Sequence, residues 1–328
     1  MTAAVFAKLL AVAITIALGW VAGRMRWLGE PQVDPARVLS AAAFYIFVPA
    51  LLFRTTARVD LAALPWRMLI AYFVPVVALM VTVHAVQRRR RRRGAAMPAA
   101  APAVRAISVT FGNNVQMGIP MATAVFGEAG LGLHLMLVSV HALILLSVCT
   151  ALVELDLARE KARAQGAPGL ASTLATTLRN TVIHPVVLPV VAGLLWNAGG
   201  LGLPPLIDEV LQLLGSAVVP LCLVLIGLSL AYYGVRGHVR GALRIALAKL
   251  VVVPALVLVV ARWGFGLDGL ALGVMVMAAA APVGSNALIF AQRYHAQQGE
   301  ATAAIVFSTF AFLLSAPLWL TLLAWLPR

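Results

Sequence analysis

The stretch Phe111–Gly130, FGNNVQMGIPMATAVFGEAG, sets a polar, helix-breaking element inside a long apolar run. Asn113, Asn114 and Gln116 supply amides, while Gly112, Gly118 and Pro120 interrupt any simple helix. A bilayer core offers no water to backbone groups freed by such a break. Non-helical backbone survives there only under protein or along a wet cavity. Buried amides likewise cost free energy unless they find partners. The stretch is therefore a packing device or a binding site. A second stretch of the same kind, Ala278–Tyr294, carries Pro282, Gly284, Ser285 and Asn286 in an equally apolar setting. Paired interrupted segments in corresponding places of two halves point to the binding site of a transporter.

The setting itself reads as a membrane. Only 11% of the 328 residues are charged and 62% are hydrophobic, whereas a soluble domain is about one quarter charged. Segments of roughly 20 apolar residues lie at 3–23, 38–53, 66–87, 104–126, 133–154, 180–197, 206–233, 241–263, 267–293 and 302–325. The fold class expected is an all-α polytopic membrane protein with ten transmembrane helices. The first segment has Arg24 and Arg26 after its apolar run. A cleaved signal carries its basic residues in front, so this reads as a retained helix with its N-terminus outside.

The formal net charge of +14 is distributed by side. With an outside N-terminus, 18 of the 25 Lys and Arg residues fall in loops on the inner side and five on the outer. That asymmetry is the positive-inside signal, with both termini outside. The run Arg88–Arg93 belongs to an inner loop that fixes topology and meets anionic membrane lipid. It has no interleaved aromatic residues to stack on bases, so no nucleic acid is expected. Cys149 and Cys222 lie in apolar runs and read as small buried hydrophobes. The chain shows no metal-ligand cluster, no cofactor motif and no catalytic motif, and no enzyme is expected.

The chain divides into residues 1–154, a cytoplasmic linker at 155–178, and residues 179–328. The halves match at their prolines. YIFVPALLF around Pro49 pairs with SAVVPLCLVLIG around Pro220, and YFVPVVAL around Pro75 with KLVVVPALVL around Pro254. The broken fourth and ninth segments pair as well. Five spans per half is odd, so the second repeat is inverted relative to the first.

These residues resemble the auxin efflux carrier family, which includes bacterial malonate and malate permeases. The resemblance rests on NNVQMGIPM at Asn113–Met121 with Phe126–Gly127, and on FYIFVPALLF at Phe44–Phe53. It extends to PLCLVLIGLSL at Pro220–Leu230, Ala281–Tyr294 and Ser315–Pro317. It covers nearly the whole chain, and the short middle loop is similar to that of bacterial members. It implies a fold like that of the bile-acid symporters and sodium/proton antiporters. Helices 1, 2, 6 and 7 form a scaffold; helices 3–5 and 8–10 form a mobile transport domain. Broken helices 4 and 9 cross at its centre, at Gly112–Asn113–Asn114 and Ser285–Asn286–Ala287. It also implies a location in the bacterial inner membrane with periplasmic termini, elevator-type transport of small organic anions, and a homodimer.

Half-helix N-termini at such a crossing attract a carboxylate through their open N–H groups. Asn113, Asn114, Ser285 and Asn286 have the amides and hydroxyl to orient it, or to cap the half-helices. Gly112, Gly118, Pro120, Pro282 and Gly284 read as break geometry. Ionisable residues inside spans are functional candidates by default. His141 is a substrate-binding or a structural histidine; plant members of the family have Gln in the corresponding place. Lys249 either reaches the inner interface or biases the site toward anions. Glu154 and Asp156 read as interfacial. No acidic pair sits in the broken helices, so the sequence assigns no coupling ion, proton or sodium. The alternatives are a sodium- or proton-coupled symporter of the bile-acid type and a non-transporting membrane sensor.

Overall fold

The computed structural model describes residues 3–28, 35–59, 64–164, 179, 183, 185–233 and 237–326. Among them the chain is all-helical, apart from one isolated β-bridge. In chain order the helices are α1 (Ala3–Arg24), α2 (Pro35–Arg58), α3 (Trp66–Arg92), α4 (Ala101–Thr110) and α5 (Ile119–Ala164). They continue with α6 (Val187–Ala198), α7 (Pro205–Tyr233), α8 (Val239–Gly264), α9 (Gly269–Ala280), α10 (Asn286–Arg293) and α11 (Gln298–Trp325). Among the described residues, six stretches are long and apolar enough to cross a membrane: Pro35–Arg58, Trp66–Arg92, Met121–Lys161, Pro205–Tyr232, Val239–Gly264 and Gln298–Trp325. Along α11, Phe310, Leu314, Leu318 and Leu322 repeat every four residues and stay exposed. A stripe of that size belongs against lipid, not water. The chain is a multi-pass membrane protein.

Prolines shape these helices in a recurrent way. A π-helical turn ends two residues before Pro49, Pro120 and Pro254, at Ala43–Phe47, Asn114–Gly118 and Ala248–Val252. Proline lacks an N–H and crowds the preceding turn, and the wider turn accommodates it. The Leu250 carbonyl, four residues before Pro254, has lost its helical donor. It accepts instead from the Trp319 indole Nε1–H of α11 at 2.8 Å.

α1 lies along α7, where Gly19 and Gly227 bring backbones together. A Cβ on Gly227 would meet the Ile16 carbonyl oxygen, and one on Gly19 the Val224 carbonyl oxygen. Small residues permit this approach where lipid supplies no hydrophobic drive for helix association. α2 packs on α6 and α7. Its end is held by Arg54 and Arg58 on Asp208, at 2.8 and 2.7 Å, and by the Asn197 amide on the Thr56 and Val59 carbonyls. α3 packs on α4, α8 on α11, and α9 on α5 and α8, while α11 also packs on α7.

Several sequence expectations shift. The turn expected at 127–132 is one residue wide: Gly127, at φ 65° and ψ −162°, joins two helical runs inside α5. Such an angle favours glycine. The helix then continues past Glu154 to Ala164, into the segment expected as a linker; 165–178 lies outside the described residues. Asp156, expected at the inner interface, is buried within the protein. It pairs with His84 Nε2 at 2.7 Å and Arg88 Nε at 3.1 Å, fastening α5 to α3. Of the segment expected at 180–197, residues 180–182 and His184 are not described, and α6 begins at Val187.

Candidate functional site

The two breaks meet. After α4 the chain runs extended through Phe111–Asn113, and after α9 it runs extended through Ala281–Gly284. They lie antiparallel with Gly112 opposite Val283. The Asn113 N–H donates to the Pro282 carbonyl at 2.8 Å, and the Gly284 N–H to the Phe111 carbonyl at 2.9 Å. Ser308 Oγ of α11 accepts from the Val283 N–H at 3.0 Å. Each break thus supplies partners for the backbone groups freed by the other, as a water-free interior requires. Gly284 has no room for a side chain, since a Cβ there would lie 2.7 Å from the Phe111 ring. The second extended segment precedes the Ser285–Ala287 expected from the sequence. Ser285 is instead the N-cap of α10, and Asn286 its first residue.

Four helix ends converge at this point. The turn Asn114–Gly118, leading into α5, and α10 both begin here, while α4 and α9 end here. N-terminal N–H groups carry partial positive charge and C-terminal carbonyls partial negative charge.

Asn114 is at the centre of one side. It is only 2% exposed. Its side-chain nitrogen lies 3.2 Å from His141 Nε2, and its main-chain carbonyl accepts from His134 Nε2 at 2.8 Å. With the amide as donor, His141 Nε2 is an acceptor and that imidazole is neutral. The Phe111 ring meets His141 edge-on at 4.5 Å, and Tyr72 and Phe73 stand further out. Asn113 is 6% exposed. The side-chain oxygens of Asn113 and Asn114 and His134 Nδ1 are buried without a hydrogen-bond partner. Buried polar atoms are nearly always satisfied, so these three have capacity left for a further hydrogen bond.

Lys249 faces the other side. It lies in the π-helical turn before Pro254 and is 0% exposed. Its Nζ donates to the carbonyl of Ala279, in the last turn of α9. It also stands 3.4 Å from where a Cβ on Gly112 would be. No carboxylate pairs with it among the described residues. The ammonium therefore does not reach the interface. It is held at the crossing, on the negative end of a half-helix.

The expected residues thus fall into three sets. Asn113, Asn114, His141, Gly112 and Lys249 come together around the first break. Pro282 and Gly284 lie in the second break, with Ser285 and Asn286 half-buried at the start of α10. The Ser285 side chain lies against the Cys222 thiol of α7. Gly118 closes the π-helical turn against the His134 ring, and Pro120 opens α5 behind it. His134 is the residue that sequence reasoning missed. It precedes His141 by seven residues, two helical turns, which places both on one face; that spacing was the available signal.

A family model described as Membrane transport protein matches residues 4–320. A comparison with curated proteins finds no match.

Proposed function

The chain belongs to the membrane transport protein family, the auxin efflux carriers that its sequence resembles, and on that premise we propose that it is a secondary carrier of small organic anions. The substrate class is mono- and dicarboxylates such as malonate or malate, moved across a bacterial inner membrane. The observation that carries this reading is a buried ammonium at the crossing of two broken helices, with no carboxylate facing it among the described residues. An ammonium without a counterion in a low-dielectric interior is costly, and an arriving carboxylate supplies the missing charge. The N–H groups that open the two half-helices add to the attraction. A substrate hydroxyl or carboxylic proton has acceptors in the orphaned oxygens of Asn113 and Asn114. Ser285 and Asn286 orient the anion from the second break.

The movement proposed is an elevator. Ten spans are arranged as two inverted repeats, 1–154 and 179–328, with both termini periplasmic. α3, α4, α5 and α8–α11 travel as one body carrying the crossing. α1, α2, α6 and α7 stay fixed. Support for that division comes from the glycine contact of α1 with α7 and from the Arg54, Arg58 and Asp208 cluster. Both lie within the fixed group.

Counterflow tests the reading. Proteoliposomes loaded with unlabelled malonate or malate are given labelled acid outside. Wild-type protein should accumulate label with no imposed gradient, and Asn113→Ala and Asn286→Ala should not. Accumulation untouched by both substitutions would remove the site from the crossing. No accumulation of any mono- or dicarboxylate, by protein shown to be folded, would overturn the anion carrier.

A further inference from the structure

A second basic site opens at the end of the molecule that carries the Arg88–Arg93 run, and its inner wall, at Val109 and Ala248, adjoins the crossing. There α3, α4, α8 and α11 line a cavity of about 460 Å³. Its polar wall includes Arg90 and Gln87 of α3, Arg105 of α4, Arg244 of α8 and Glu300 of α11. Arg105 is already committed. It holds Glu300 at 2.7 Å and is braced by Gln87 at 3.1 Å. Arg90 and Arg244 have no ion pair among the described residues. The cavity therefore presents two uncompensated guanidiniums over one neutralised pair. His238 and Gln297 complete the polar lining, and Val83, Val109, Ile245 and Ala248 form an apolar wall beside it. Outside it the bounding helices carry Val86 on α3 and Leu243 and Leu247 on α8, all exposed. The space thus grades from paired cations to hydrocarbon.

We infer that this cavity binds the headgroup of an acidic phospholipid. The phosphate bridges Arg90 and Arg244, and an acyl chain lies along Val86, Leu243 and Leu247. Two guanidinium forks suit the oxygens of a phosphate, and basic clefts between membrane helices bind anionic headgroups. A free phosphate would use the same cations but leave the apolar wall and the exposed leucines uncovered. That wall decides for the lipid. The inference does not rest on the anion-carrier reading, because the cations and the apolar surface it uses, Arg90, Arg244, Val86, Leu243 and Leu247, are exposed and outside the crossing.

Full-length protein in detergent is the material for the test. Phosphatidylglycerol, phosphatidylcholine, glycerol phosphate and inorganic phosphate are titrated against bound-lipid counts by native mass spectrometry and against thermal unfolding. One phosphatidylglycerol per chain should survive delipidation and raise the melting temperature. Phosphatidylcholine and the two soluble phosphates should do neither at equal concentration. Arg90→Gln with Arg244→Gln should weaken retention at least about tenfold, two charge-assisted contacts being lost. Arg24→Gln with Arg26→Gln removes the same charge outside the cavity and should leave retention unchanged. A photoactivatable phosphatidylglycerol on wild-type protein should label α3 and α8, which reads the site without any substitution. Equal loss in both double variants, or labelling elsewhere, would overturn the site. Equal binding of inorganic phosphate would overturn the lipid and assign the cavity to a soluble anion.

Discussion

The Lys249 ammonium donates to the Ala279 carbonyl in the last turn of α9 and is sealed from solvent. A helix C-terminus is a weak counterion, supplying about half an elementary charge spread over its last carbonyls. Removing one partner of a satisfied buried ion pair destabilises, but replacing an ill-compensated charge by an apolar side chain is often neutral or stabilising. Lys249→Met should therefore keep or raise the melting temperature. Counterflow of a dicarboxylate should fall at least about tenfold, the loss of one charge-assisted contact. A fall in melting temperature with counterflow intact would make Lys249 structural.

The Asn114 amide and His141 Nε2 are 3.2 Å apart in a buried setting. Glutamine at position 141 has a carbonyl oxygen able to accept the same N–H, and leucine does not. Leaving a buried donor unpaired costs about 1–3 kcal/mol. His141→Gln should hold counterflow within about threefold of wild type, whereas His141→Leu should lower it by about tenfold or more. Equal loss in both would mean that the imidazole itself acts on substrate.

The first break was legible because Gly112, Asn113, Asn114 and Pro120 have no ordinary place in an apolar helix. The second was legible from Pro282 and Gly284, yet its extended segment lies earlier than expected. Ser285 and Asn286 stand at the start of the next half-helix, where Ser285 holds the N-cap position without a side-chain capping bond. Lys249 looked free to snorkel from its position in sequence. Only the π-helical turn and the end of α9 show where its long stem goes. Asp156 closes an apolar run, which is where an interfacial carboxylate would stand. Its partners, His84 and Arg88, are some 70 residues away, beyond any local pattern.

The Gly227 position tests the glycine contact between α1 and α7. A Cβ there would lie 2.0 Å from the Ile16 carbonyl oxygen and 2.5 Å from the Trp20 nitrogen. Both are backbone atoms and cannot rotate aside. Gly227→Ala should force the helices apart and cost at least about 1–3 kcal/mol, the usual range for overpacking. Thermal unfolding in detergent reads this directly. At Gly132, where a Cβ meets nothing within 4 Å, alanine should leave the melting temperature unchanged or slightly higher. Equal melting of both variants would mean that the contact does not hold α1 on α7.

The cluster of His84, Arg88 and Asp156 separates a structural ion group from the site. Both His84 and Asp156 are buried, and Asp156 accepts from both neighbours. Asp156→Ala leaves an imidazole and a guanidinium facing each other without a carboxylate, and breaking a buried pair in this way costs about 3–5 kcal/mol. Its melting temperature should fall well below wild type. Adding His84→Leu removes one stranded polar group and fills the space, so the double variant should regain part of the loss. The cluster joins α3 to α5 within the body proposed to move and touches none of the crossing residues. Folded double variant should therefore keep dicarboxylate counterflow within about threefold of wild type, less than one unit of 1.4 kcal/mol. A double variant that stays folded but loses counterflow would place His84 and Asp156 on the transport path instead.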